Sequence, residues 1–210
     1  GTINMHYNWR CRIVGKPGEK VRIILHWPEY DPEKSPKQHV YWYVQSFGLV
    51  AERAMYTSSD EIHWERLTDI KKTGFDLDFT LTLPESGKLS AAVNIPFSLD
   101  ELDKICEEYK DYRIKVADTR AKFDIPTFRF GNGKKVIWLQ ANVHTIEVSG
   151  SHALVGAMRY LKKHIDEIKD YSFFIIPTVT VDQLYGDMVF NGNITDINRD
   201  WGKLTNPENI

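Results

Sequence analysis

The stretch Val136-Ile137-Trp138-Leu139-Gln140-Ala141-Asn142-Val143-His144-Thr145-Ile146-Glu147 decides how the second half of the chain is organised. Its first four residues form a continuous apolar run just after Gly131-Asn132-Gly133, which is the signature of a short buried strand. Leu154, Met158, Leu161, Ile165 and Ile168 then recur at helical spacing, and 171–179 is a second apolar strand. Strand, helix and strand in that order predict a β-α-β unit in a mixed, largely parallel sheet. Because its strands are unbroken apolar runs, that sheet is expected to be covered on both faces.

Towards the N-terminus the period changes. Ser98, with Glu101 three residues on, reads as a capping box opening a helix through Leu99, Leu102 and Ile105. Before Pro96 the pattern is nearly all β. Trp9, Cys11 and Ile13 alternate with Arg10 and Arg12; Val21, Ile23 and Leu25 follow the turn Lys16-Pro17-Gly18; and Leu77, Phe79, Leu81 and Leu83 alternate with Asp76, Asp78, Thr80 and Thr82. A further strand is expected at Val40-Tyr41-Trp42-Tyr43-Val44, after the polar loop of residues 31–36. Short half-buried strands at this spacing predict an antiparallel β-sandwich. Two domains are therefore expected, 1–97 and 98–210.

The 210 residues are 42% apolar and 12% aromatic, ordinary for a chain with a packed core. A net charge of −2, with Lys and Arg dispersed, argues against a nucleic-acid surface or a polybasic membrane anchor. No apolar run approaches a bilayer-spanning length. Two cysteines, Cys11 and Cys106, are too few for a disulfide scaffold and lack metal-site spacing, so both read as buried thiols, with a bridge between them as the alternative. The compartment is not fixed: cytoplasmic placement is mildly favoured, and a start at Gly1 is compatible with a removed signal peptide.

Zinc takes imidazole nitrogen and carboxylate oxygen, and His-x-x-Glu supplies both from one short segment. The pattern occurs three times, as His26/Glu29, His144/Glu147 and His164/Glu167. Pro28 splits the first pair, and the third falls in the polar end of a helix, where such a couple is usually a solvated face. His144 leaves a strand at its carboxyl end and Glu147 is expected in the first turn of the next helix. In open α/β sheets that edge is where ligands bind. A second polar segment, Thr195-Asp196-Ile197-Asn198-Arg199-Asp200-Trp201, follows the second strand after a loop. Arg199 can clamp a carboxylate bidentately, Asn198 can add donors, and Asp196 can orient a ligating histidine through its other ring nitrogen.

Together the two segments resemble the zinc metallocarboxypeptidases, the group containing carboxypeptidase A and the cytosolic carboxypeptidases. The resemblance runs over about residues 115–202 and includes Ile125-Pro126-Thr127-Phe128-Arg129-Phe130-Gly131 and Trp138-Leu139-Gln140-Ala141. Tyr56-Thr57-Ser58-Ser59-Asp60 and Trp64-Glu65-Arg66 resemble the leader domain of the cytosolic branch. The resemblance implies that His144 and Glu147 are Zn2+ ligands, that Asn198 and Arg199 hold a substrate's terminal carboxylate, and that Asp196 orients His144. It implies hydrolysis of a C-terminal peptide bond, with a peptide or protein C-terminus as substrate.

The third zinc ligand, a histidine, and the glutamate base of that family lie well downstream of Asp-x-Asn-Arg, whereas Ile210 is 11 residues after Arg199 (210 − 199). No catalytic base is therefore expected within the chain, which alone should be inactive. His152 could be offered as a substitute ligand but reads as a packed or partly exposed helix residue. Two departures fall inside the matched region. No arginine occurs between Arg159 and Arg199, where many relatives carry one that steadies the oxyanion, and Thr180-Val181-Asp182-Gln183 replaces an Asn-Pro-Asp-Gly turn. The alternatives are a non-catalytic peptide- or glycan-binding protein on the same fold, or a zinc amidohydrolase or deacylase acting on small acyl-amino acids.

Overall fold

The computed structural model describes residues 10–26, 55–73, 76–119, 121–144 and 147–186. The expected strand 40–44, the loop 31–36, Glu29 and the segment 195–201, with Asp196, Asn198 and Arg199, lie outside the described residues. The chain divides between Ile95 and Pro96 into two compact units.

Unit 1 carries β1 (Arg10–Val14), β2 (Lys20–His26), β3 (Met55–Ser58), β4 (Glu65–Arg66), β5 (Lys71–Thr73), β6 (Asp76–Thr82) and β7 (Lys88–Val93). They form two antiparallel sheets, ordered β1-β7-β3-β4 and β2-β6-β5. The turn at Lys16, closed by Glu19 N–H donating to Lys16 O at 3.0 Å with Gly18 at φ +77°, passes the chain from one sheet to the other. The period-2 pattern explains the core. Leu77, Phe79 and Leu81 on β6 are buried together with Leu25 of β2, Met55 of β3 and Ala91 and Val93 of β7, so both sheets share one apolar cluster. Cys11 and Cys106 are free, half-buried thiols, and burial pushes both upward in pKa.

Between β3 and β4 the chain makes a tight polar loop. Asp60 accepts hydrogen bonds from the backbone N–H groups of Ile62 and His63, both at 2.8 Å. Glu61, at φ +62°, reaches across to accept from Ser90 Oγ at 2.6 Å and to pair with Arg12 and Arg10 at 2.6 and 2.7 Å. The Ser90 hydroxyl, then the two guanidinium groups, hold the Glu61 carboxyl down at about 2.

Unit 2 opens with α1 (Leu99–Glu108), where Ser98 Oγ accepts from the Glu101 N–H at 3.3 Å, the cap expected from the sequence. A 3-10 turn at Lys110–Tyr112 leads into β8 (Arg113–Ile114), β9 (Thr127–Phe130) and β10 (Lys135–Gln140). Then come α2 (Ser149–Lys163), a 3-10 turn at Ile165–Glu167, β11 (Tyr171–Ile176) and the short α3 (Val181–Gly186). The sheet order is β10-β11-β9-β8. Gly131 and Gly133 let the turn before β10 lie directly on the Asp170–Tyr171 backbone, where a Cβ on either would collide.

The β-α-β unit is present: β10 and β11 are parallel, in register from Lys135↔Tyr171 to Gln140↔Ile176. The sheet is mixed: among the described residues β10/β11 is its parallel pair, and β11/β9 and β9/β8 are antiparallel. The short turn 131–134 reverses the chain between β9 and β10, and the crossover through α2 then brings β11 in parallel to β10 and antiparallel to β9. One face of the sheet packs Phe128, Phe130, Leu139, Phe173 and Ile175 against Val155, Met158 and Leu161 of α2 and Leu102 and Ile105 of α1. On the other face, Val136 and Trp138 of β10 are exposed, whereas Ser172 and Ile176 of β11 are buried. α2 ends at Lys163, so Ile165 and Ile168 pack from the 3-10 turn and its exit instead of from the helix. β11 stops at Ile176 because Pro177 follows.

Candidate functional site

The carboxyl ends of β10 and β11 are fastened to each other, and the fastening places His144. Beyond the last ladder pair, Ala141 N–H donates to Ile176 O at 3.1 Å and Val179 N–H donates to Ala141 O at 3.2 Å. Asn142 follows at φ +58°, a left-handed conformation that Asn tolerates better than other residues bearing a Cβ. Its buried side chain donates from Nδ2 to Thr178 Oγ1 at 3.1 Å, and its carbonyl accepts from Thr180 Oγ1 at 2.7 Å. The kink turns the chain out of the sheet, and His144 comes two residues later. Asn142, Thr178 and Thr180 were not singled out from the sequence as positioning residues. The available signal was an asparagine directly after an apolar strand, with two threonines after its parallel partner.

His144 is half-buried and Glu147 is exposed. Glu147 N–H donates to His144 O at 2.9 Å, so the two residues close one turn of chain. That turn precedes the helix: α2 begins at Ser149, and Glu147 is not in its first turn as expected. Within the turn, His144 Nδ1 and Glu147 Oε1 lie 3.1 Å apart. One imidazole nitrogen and one carboxylate oxygen is a donor pair that zinc accepts. Ligand bonds of about 2.0–2.1 Å at a tetrahedral angle put two donors roughly 3.3 Å apart. The 3.1 Å separation is that of a hydrogen bond between the two groups and is also within the spacing of two ligands on one ion. Among the described residues no group of three or more His, Cys, Asp or Glu side chains could hold a metal ion, so further ligands are not found among them.

The other histidines differ in surroundings more than in local geometry. His164 Nδ1 and Glu167 Oε1 are 2.8 Å apart, a contact as close as that of His144 and Glu147. This pair follows the far end of α2, a helix of about 22 Å for its fifteen residues, and so lies towards the amino-terminal edge of the strands. The Tyr160 ring stacks on His164 with centroids 4.3 Å apart. His26 ends β2 in unit 1. His152, in the first turn of α2, packs edge-on against Phe97 with centroids 5.5 Å apart, and its Nδ1 is 3.7 Å from Glu101 Oε1. Burial raises the Glu101 carboxyl, with the histidine opposing that shift. His152 therefore faces α1 as a packed helix residue.

The altered turn after β11 is built into the core. Thr180 and Val181 are buried, and Asp182 accepts from Ala121 N–H at 3.3 Å.

No protein-family model matches the sequence, and no curated protein matches it. Solved structures do. A metallo-carboxypeptidase from Pseudomonas aeruginosa, in complex with (2-guanidinoethylmercapto)succinic acid, superposes with a TM-score of 0.74 at 16% identity, covering 96% of this chain and 54% of that one. A metallo-carboxypeptidase from Burkholderia cenocepacia gives 0.72 at 16% identity, covering 92% and 52%. The chain has the fold of these proteins over most of its length and spans about half the length of the solved structures it matches.

Proposed function

We propose that the chain is part of a zinc metallocarboxypeptidase, with unit 1 as its β-sandwich leader domain and unit 2 as the first portion of its catalytic domain. The observation that carries this reading is the convergence of His144 Nδ1 and Glu147 Oε1, 3.1 Å apart, at the carboxyl edge of the parallel pair β10/β11. Ligands of open α/β sheets bind at that edge.

In this reading His144 and Glu147 hold Zn2+, neutral imidazole and ionised carboxylate being the forms that ligate. Bound zinc supplies Lewis-acid polarisation of a carbonyl and a water acidified towards neutral pH. Asp196 accepts from the other ring nitrogen of His144 and fixes its tautomer. Arg199 offers its guanidinium fork, and Asn198 its amide, to the terminal carboxylate of a peptide, which places the last peptide bond next to the metal.

The non-catalytic alternative draws on the absence of an arginine between Arg159 and Arg199. One experiment separates the readings. The full-length polypeptide encoded by the gene is offered a peptide with a free C-terminal carboxylate and the same peptide as its C-terminal amide. Release of the last residue from the first and not the second is expected, with Arg199→Ala abolishing the preference. Binding of the acid without cleavage would refute the enzyme reading.

A further inference from the structure

Thr178 and Thr180 bracket Asn142 from the neighbouring strand end. The Thr178 hydroxyl accepts from the Asn142 amide at 3.1 Å, and the Thr180 hydroxyl donates to the Asn142 carbonyl at 2.7 Å. All three side chains are buried, at no more than 3% exposure. Val179, between the threonines, adds its N–H to Ala141 O, and Val143 packs against Ile176 and Val179. Valine has nearly the shape of threonine and carries no hydroxyl to desolvate, so packing alone does not call for threonine at either place. A fully paired polar group in a core fixes one geometry instead.

That geometry matters two residues on. His144 lies up to about 7 Å along the chain from Asn142, so a backbone rotation of about 10° there moves it by about 1 Å. Ligands need to be held to about 0.5 Å. Thr180 also opens the turn at which the sequence departs from Asn-Pro-Asp-Gly, and its hydroxyl is engaged at the root of the His144 turn. We infer that Thr180 is a positioning residue for His144 and Glu147: its bond to the Asn142 carbonyl sets the direction in which the chain leaves the sheet, and thereby the hold of the pair on a metal ion. The inference rests on the reading of His144 and Glu147 as zinc ligands, and it assigns the altered turn to building the site instead of to its decay.

The test uses the full-length polypeptide, with Thr180→Val removing the hydroxyl at constant shape and Thr180→Ser restoring it. Zinc affinity, read by competition with a chelator, should fall about tenfold or more in Thr180→Val, and Thr180→Ser should retain most of it. The absorption spectrum of the cobalt-substituted protein should change in the valine variant alone. In the metal-free protein, exchange of the Glu147 amide, which donates to His144 O, should accelerate about tenfold more than that of Met158 in mid-α2. Thr178→Val, which removes the other bond, should give the same pattern and serves if Thr180→Val does not fold. Unchanged affinity and spectrum in a zinc-binding Thr180→Val protein would overturn this inference alone. So would equal acceleration at Glu147 and Met158, which is what a merely structural bond gives, or a loss in Thr180→Ser as large as in valine. A wild-type protein that binds no zinc would overturn the zinc reading and this inference with it.

Discussion

Replacing Asn142 tests how the site is held. Its side chain is buried, its Nδ2 donates to Thr178 Oγ1 at 3.1 Å, and its backbone sits at φ +58°. Asn142→Ala removes a hydrogen bond worth about 1 kcal/mol net. It also leaves a Cβ in the left-handed region, at a cost of roughly 1–2 kcal/mol, without the amide that compensates for it. The expected loss is about 2–3 kcal/mol in unit 2. Asn142→Gly removes the same bond but relieves the backbone and adds only the entropy of a freer unfolded chain, so its loss should be nearer 1.5 kcal/mol, about 1 less than for alanine. Amide exchange of β10 and β11 is the suitable assay, because global melting of a two-unit chain is not a single transition. If glycine is as damaging as alanine, or if neither costs more than about 0.5 kcal/mol, the fastening argument is wrong.

Two further perturbations address each unit. Glu61 is depressed from 4.5 to about 2 in the folded state, so its contribution is present above pH 4.5 and lost as pH falls towards 2. Glu61→Gln should lower the urea midpoint of unit 1 at pH 6 and flatten its decline between pH 4.5 and 2; an unchanged slope would contradict the role given to Ser90, Arg12 and Arg10. In unit 2, Met158 is fully buried in the cluster that holds α2 on the sheet, and Met158→Ala should cost about 2–5 kcal/mol by amide exchange of β11.

What could be read in the sequence was what repeats locally. The alternation of β6, the Ser98 cap and the change of period from β10 to α2 each follow from neighbours in the chain, and each is present in the structure. Partners distant in sequence were not readable. Glu61 pairs with residues 29 and 49 positions away, and nothing local marks a glutamate at positive φ. The apolar run 136–139 signalled a strand but not that alternate residues would stand exposed, because a continuous run is silent about which face is covered. Three His-x-x-Glu pairs were equal as patterns, and the two described in full are nearly equal as contacts at 3.1 and 2.8 Å. Only topology separates them, since α2 carries the second to the opposite edge of the strands.

That separation gives the most direct test of the zinc site. Metal content of the full-length polypeptide, purified at neutral pH, should be close to one zinc per chain. It should be lost in His144→Ala and retained in His164→Ala, two variants that remove the same residue from the same pattern. Zinc kept by His144→Ala, or lost equally in both variants, would contradict the account.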